Sequence, residues 1–136
     1  MKVVLDLNVL FAALVSQGLC REVFLVVSRF HVLVTSAVLL NELEDVISRK
    51  LGMTTSARRF LVQFKGRAQL VEPLEISPPV CRDADDDQVL GTALAAAADC
   101  IVTGDQDLLI LKKHRGILIH SPREFIVRLE QGSDRI

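Results

Sequence analysis

Asp6, Glu42, Asp86 and Asp105 are the residues of this chain best placed to do chemistry. Asp6 follows the apolar run Lys2 to Leu5, and Asp105 follows Cys100 to Thr103, so each carboxylate comes where a buried strand ends. Glu42 and Asp86 lie in segments of helical composition, on the side that carries the apolar residues. An ionised carboxylate withdrawn from water must be paired or bound to a cation, because otherwise it neutralises. The chain offers few buried cations as partners. Carboxylates meeting in one pocket suit a hard divalent ion that prefers oxygen ligands, Mg²⁺ or Mn²⁺. Such ions activate water and stabilise the attacking and leaving oxygens at a phosphodiester. With no nucleophilic Ser or Cys pattern beside the acids, the chemistry indicated is hydrolytic phosphoryl transfer.

The elements that must position these acids alternate. A strand over Lys2 to Leu5 leads through a turn into a helix spanning Val9 to Leu14, and a second helix covers Leu19 to Val27. Val32 to Val34 form a strand, after which Ser36 caps a helix that runs to about Lys50. Ser56 to Arg67 form a helix with Phe60, Leu61 and Phe64 inward and Arg58, Arg59 and Lys65 outward. Three prolines between Pro73 and Arg82 mark a connecting loop after a short strand at Leu70 and Val71. There follow a helix from Asp86 to Ala98, a strand from Cys100 to Thr103, a helix from Gln106 to Lys113 and a strand from Gly116 to Ile119. Pro122 opens a closing helix through Leu129. Such alternation indicates an α/β sandwich with a mostly parallel sheet and right-handed crossovers. Ligands of open parallel sheets bind beyond the carboxyl ends of the strands, where Asp6 and Asp105 fall.

Helical rotation sorts the remaining acids. Val38, Leu39 and Val46 share a face with Glu42, whereas Glu44 projects to the opposite side, toward solvent. Val89, Leu90, Ala93 and Ala97 set the apolar face of the Asp86 helix, with Asp86 on that side and Asp87 toward one flank. Asp85 and Asp87 are explained by the helix macrodipole, which also accounts for part of Asp86, and Asp83 reads as an N′ or capping residue. Gly104 permits a turn that lets Thr103, Asp105 and Asp107 face one pocket, although Asp107 is better explained as an N-terminal helix acid and Asp105 is the stronger site candidate.

Composition narrows the partners. The 136 residues are 50% hydrophobic, with six Phe and neither Trp nor Tyr, so the interior is aliphatic and favours buried parallel strands. A net charge of -1 and a pI near 6.3 exclude a broadly basic nucleic-acid-binding surface. Local RNA contacts fall to Arg49, Lys50, Arg58 and Arg59, whose charges a solvated helix face explains equally well. Cys20, Cys81 and Cys100 lack metal or redox spacing and read as small core residues, in keeping with a reducing cytoplasm. His31, His114 and His120 lack paired spacing and read as structural. The opening segment imitates a signal sequence, but Asp6 and Asn8 interrupt its apolar stretch, and no other segment is apolar for long enough to span a bilayer.

Four motifs, taken together, carry a resemblance: D-L-N from Asp6 to Asn8, S-x5-E from Ser36 to Glu42, D-x2-D-D from Asp83 to Asp87, and V-T-G-D-Q-D-L-L from Val102 to Leu109. In this order and spacing the chain resembles a PIN domain, above all the VapC-like toxin branch of bacterial toxin-antitoxin systems, over nearly its whole length. The resemblance implies a single PIN-like domain over 1–136, a three-layer sandwich with a mostly parallel central sheet flanked by helices. It implies a Mg²⁺- or Mn²⁺-dependent endoribonuclease whose acidic quartet is Asp6, Glu42, Asp86 and Asp105, with Asn8 and Thr103 as supporting polar residues. Asp83, Asp87 and Asp107 stand beside that quartet, and a one-residue shift would put Asp87 in the place of Asp86. An RNA substrate, a cognate antitoxin and a homodimer are the partners expected.

Other acid-bearing α/β folds fit less well. A haloacid-dehalogenase-like phosphatase needs an Asp two residues after the first, where this chain has Asn8. A receiver domain needs a phosphoacceptor Asp on its third strand, and a dinucleotide site needs G-x-G-x-x-G after the first strand; neither is present. The alternative from another class is a PIN fold that binds RNA or protein without cutting.

Overall fold

The computed structural model of the chain describes residues 1–132. Its strands are β1 (Lys2–Leu5), β2 (Val32–Thr35), β3 (Gln69–Leu70), β4 (Cys100–Val102), β5 (Lys113–His114) and β6 (Ile117–His120). Its helices are α1 (Leu7–Val15), α2 (Leu19–Phe30), α3 (Ala37–Lys50), α4 (Thr55–Arg67), α5 (Ala84–Ala96), α6 (Gln106–Leu109) and α7 (Pro122–Glu130). The strands form one sheet in the order β3-β2-β1-β4-β6-β5, parallel throughout except for β5, which runs antiparallel to β6.

The central strands are apolar on both faces because helices cover both. Val3, Leu5, Leu33, Cys100 and Val102 join a core with α1, α2, α4 and α7, where Phe24 and Phe60 stack with ring centroids 4.7 Å apart. Val4, Val34, Ile101, Ile117 and Ile119 point the other way, into a core with α5 and α6. The two-residue period of the strands thus feeds both layers of a three-layer sandwich. Helix α3 gives Leu43 and Ile47 to the first core and Leu39 to the second. Among the described residues no single helix is long and apolar enough to cross a membrane.

Strand order decides where a ligand can bind. From β1 the chain steps to β2 and β3 on one side and then returns to lay β4 on the other. The crevice between the carboxyl ends of β1 and β4 is therefore the topological switch point of the sheet. Asp6 and Thr103 lie directly past those two ends.

The loop before α5 is fastened to that helix. Leu74 N donates to the Gly91 carbonyl over 3.0 Å, and a Cβ at Gly91 would lie 2.2 Å from the Leu74 carbonyl oxygen. Asp87 Oδ1 accepts from Val80 N at 3.3 Å and Cys81 N at 3.0 Å.

Several elements depart from the sequence reading. The helix expected from Gln106 to Lys113 ends at Leu109, and Lys113 and His114 instead form the antiparallel edge strand β5. Positive φ at Lys112, Arg115 and Gly116 turns the chain sharply there, which helical periodicity does not reveal. Ala97, expected on the apolar face of α5, is its exposed left-handed C-cap at φ 51°. Glu44 is half-buried rather than solvated, with its carboxylate 3.1 Å from Lys65 Nζ on α4.

Candidate metal centre

Three helix N-termini converge at the switch point, and an aspartate caps each of them. Asp6 caps α1, its Oδ1 accepting from Leu7 N at 2.7 Å. Asp83 caps α5 by accepting from Asp85 N, and Asp105 caps α6, its Oδ1 accepting from Asp107 N at 2.8 Å. Capping and site roles do not compete here. One oxygen of each carboxylate answers an orphan backbone donor, and the helix dipoles favour negative charge at that end.

Thr103 joins the two strand ends. Its hydroxyl donates to Asp6 Oδ2 at 2.6 Å and accepts from Asp105 N at 3.0 Å. Thr103 is fully buried and Asp6 nearly so, at 7% exposed. Asp6 has its pKa raised, because burial outweighs the hydrogen bonds from Thr103 and Leu7.

Asp6, Asn8, Glu42, Asp83, Asp85, Asp86 and Asp105 line one pocket of about 140 Å³, with Leu7 and Val89 as its apolar walls. Asp86 is buried at 6% exposure, and its Oδ2 has no hydrogen-bond partner. Burial, and then the charges of Asp105 and Asp6, push its carboxyl up to about 7. Glu42 is likewise pushed up to about 7, by burial first and then by Asp85. Oxygen ligands of Asp86, Asp105 and Asp107 all fall within 4.8 Å of one another. A buried carboxylate oxygen without a donor, among others that repel it, fits a divalent cation and is costly without one.

The structure brings the expected quartet together, along with Asn8 and Asp83, and draws Asp87 away. Asp87 spends its carboxylate on the Val80 and Cys81 amides and does not line the pocket. Asp107 stands at the edge, where Arg82 Nη2 lies 2.7 Å from its Oδ1. Glu42 reaches the pocket from the flank of α3, because the buried face of that helix is Leu39, Leu43 and Ile47, while Val38 is exposed.

The four basic residues named from sequence lie apart from the pocket lining. Arg49 pairs with Asp45, Lys50 lies over the Phe11 ring, and Arg58 donates to the Met53 carbonyl. Arg59 borders a groove between α2 and α4 together with Arg21. The sequence reading missed Asp85, which was assigned to the helix dipole alone; it was also silent on Arg82. Pairing across 25 positions of sequence leaves no local signal.

Solved structures with a similar fold include the VapBC2 complex of Rickettsia felis bound to a DNA fragment from its promoter. That match has a TM-score of 0.58 and 14% identity, covering 89% of this chain and 98% of the other. PAE2754 of Pyrobaculum aerophilum superposes with a TM-score of 0.60 at 17% identity, covering 96% of this chain and 90% of the other. No curated protein matches this chain in sequence. The PIN domain family model matches residues 2–107, and the chain therefore belongs to the PIN domain family.

Proposed function

We propose that the chain, as a single domain, is a Mg²⁺- or Mn²⁺-dependent endoribonuclease acting from the pocket of Asp6, Glu42, Asp86 and Asp105. The observation that carries this reading is Asp86 Oδ2, buried without a hydrogen-bond partner among carboxylates at the switch point of the sheet. A divalent ion held there would supply Lewis acidity and lower the pKa of a water. Asp6, Asp86 and Asp105 offer the oxygen ligands, with Asp6 held in orientation by Thr103 and Leu7. Glu42, whose carboxyl is raised by burial and by Asp85 in the metal-free pocket, is the residue placed to take a proton from an attacking water. Asn8, exposed at the pocket wall, offers an amide to the substrate.

Membership of the PIN domain family supports the nuclease reading. The fold shared with a chain of the VapBC2 complex supports a toxin role beside a cognate antitoxin; a homodimer is proposed with it. The test is cleavage of single-stranded RNA by highly purified protein with Mg²⁺, with Mn²⁺ and with excess EDTA, using Glu42→Gln as the control. Cleavage that needs metal and is lost in the control supports the reading. RNA binding without metal-dependent cleavage would make the chain a non-catalytic binding module instead.

A further inference from the structure

Seven carboxylates gather at or beside the pocket: Asp6, Glu42, Asp83, Asp85, Asp86, Asp105 and Asp107. Such a site repels a polyanion even after divalent ions have entered. Among the described residues a single basic side chain is ion-paired to this group, Arg82, through its 2.7 Å contact with Asp107 Oδ1. The Arg82 side chain is 87% exposed, and this one contact is the hydrogen bond its guanidinium makes to the protein. Its other donors face solvent.

The backbone beneath that exposed side chain is fixed. Cys81 N, one residue before, is held by Asp87 Oδ1 at 3.0 Å, and Asp83, one residue after, is the N-cap of α5. Arg82 is thus a guanidinium mounted on a fastened turn at the mouth of an acidic pocket. An exposed ion pair of this kind contributes little to stability and exchanges its partner readily. Ligand oxygens of Asp86, Asp105 and Asp107 lie within 4.8 Å of one another, so a cation held by Asp86 and Asp105 would also attract Asp107 and weaken its hold on the guanidinium. The planar fork then matches two oxygens of a phosphodiester.

We propose that Arg82 is the substrate-binding cation of this site, parked on Asp107 in the free protein and transferred to a backbone phosphate of single-stranded RNA in the complex. The inference rests on the ribonuclease reading above. It also explains why the four basic residues on α3 and α4 need not reach the pocket.

The test measures binding of a fluorescein-labelled, random-sequence single-stranded RNA pool by anisotropy. Ca²⁺ replaces Mg²⁺, and a gel confirms that the RNA stays intact. Arg82→Gln should weaken binding about tenfold and reduce the slope of log affinity against log salt by about 0.7, the loss of one phosphate contact on a single strand. Arg82→Lys should keep the salt slope but not the full affinity, because it keeps the charge and loses the fork. In Mg²⁺, Arg82→Gln should raise KM and leave kcat nearly unchanged. Calorimetric Mn²⁺ affinity should be equal or higher in Arg82→Gln, because Asp107 is released. Wild-type RNA affinity in Arg82→Gln, with only the Mn²⁺ affinity altered, would reduce Arg82 to a counterion of Asp107 and overturn the proposal while leaving the ribonuclease reading intact. Failure of the wild type itself to bind or cleave RNA would overturn both.

Discussion

Thr103 Oγ1 donates to Asp6 Oδ2 at 2.6 Å, across the gap between the carboxyl ends of β4 and β1. The same oxygen accepts from Asp105 N, so one hydroxyl sets the spacing of two site acids. Its bond lowers the proton affinity of an otherwise desolvated Asp6. Thr103→Val keeps the shape and removes both interactions. The expected result is a Mn²⁺ affinity about 10- to 100-fold weaker, with a larger loss at the lower of two pH values because Asp6 then holds its proton more tightly. Calorimetric titration at the two pH values checks this, and an unchanged affinity would reduce Thr103 to a packing residue.

Glu42 and Asp86, both pushed up to about 7, give the metal-free protein a definite pH dependence. Their ordinary values are 4.5 and 3.8, so between those values and 7 the folded chain binds more protons than the unfolded chain. Stability attributable to these two groups therefore falls as pH rises through that window and levels off above it. Saturating Mn²⁺ removes this slope, because the ion binds only the deprotonated ligands. Thermal melts from pH 4.5 to 8 should show stability falling toward pH 7 without Mn²⁺ and no such fall with it.

Much of this arrangement is legible in the sequence. Asp6 and Asp105 were placed by the ends of apolar runs, and Asp86 was separated from Asp87 by helical rotation. Both inferences use local periodicity, which the buried strands and α5 obey. What escaped was non-local. Asp85 belongs with Glu42 only because α3 packs on α5, and Arg82 meets Asp107 only because the loop before α5 is pinned to that helix. On α3, Leu39 lies on the packed face as expected, whereas Val38 and Val46 only flank that face of Leu39, Leu43 and Ile47. The edge strand β5 escaped because two residues of extended chain beside positive-φ turns carry no period at all.

Gly91 lets the backbone of the preceding loop touch α5. In Gly91→Ala the new Cβ would lie 2.2 Å from the Leu74 carbonyl oxygen, an overlap that backbone must move to relieve. The expected cost is about 1–3 kcal/mol, seen as a lower melting temperature and earlier proteolysis between Pro73 and Arg82. A variant as stable as wild type would show that the loop is not seated on α5 through this contact.

Asp86 and Asp87 are neighbours with different duties: one lends an unpartnered oxygen to the pocket, and the other clamps the Val80 and Cys81 amides. Cleavage of end-labelled single-stranded RNA in Mn²⁺ by Asp86→Asn, Asp87→Asn and wild type is the most direct test of a carboxylate metal site acting on RNA. Asp86→Asn should abolish cleavage, and Asp87→Asn should retain a substantial fraction of it with a somewhat lower melting temperature. Substantial cleavage by Asp86→Asn, or wild-type cleavage undiminished in excess EDTA, would contradict it.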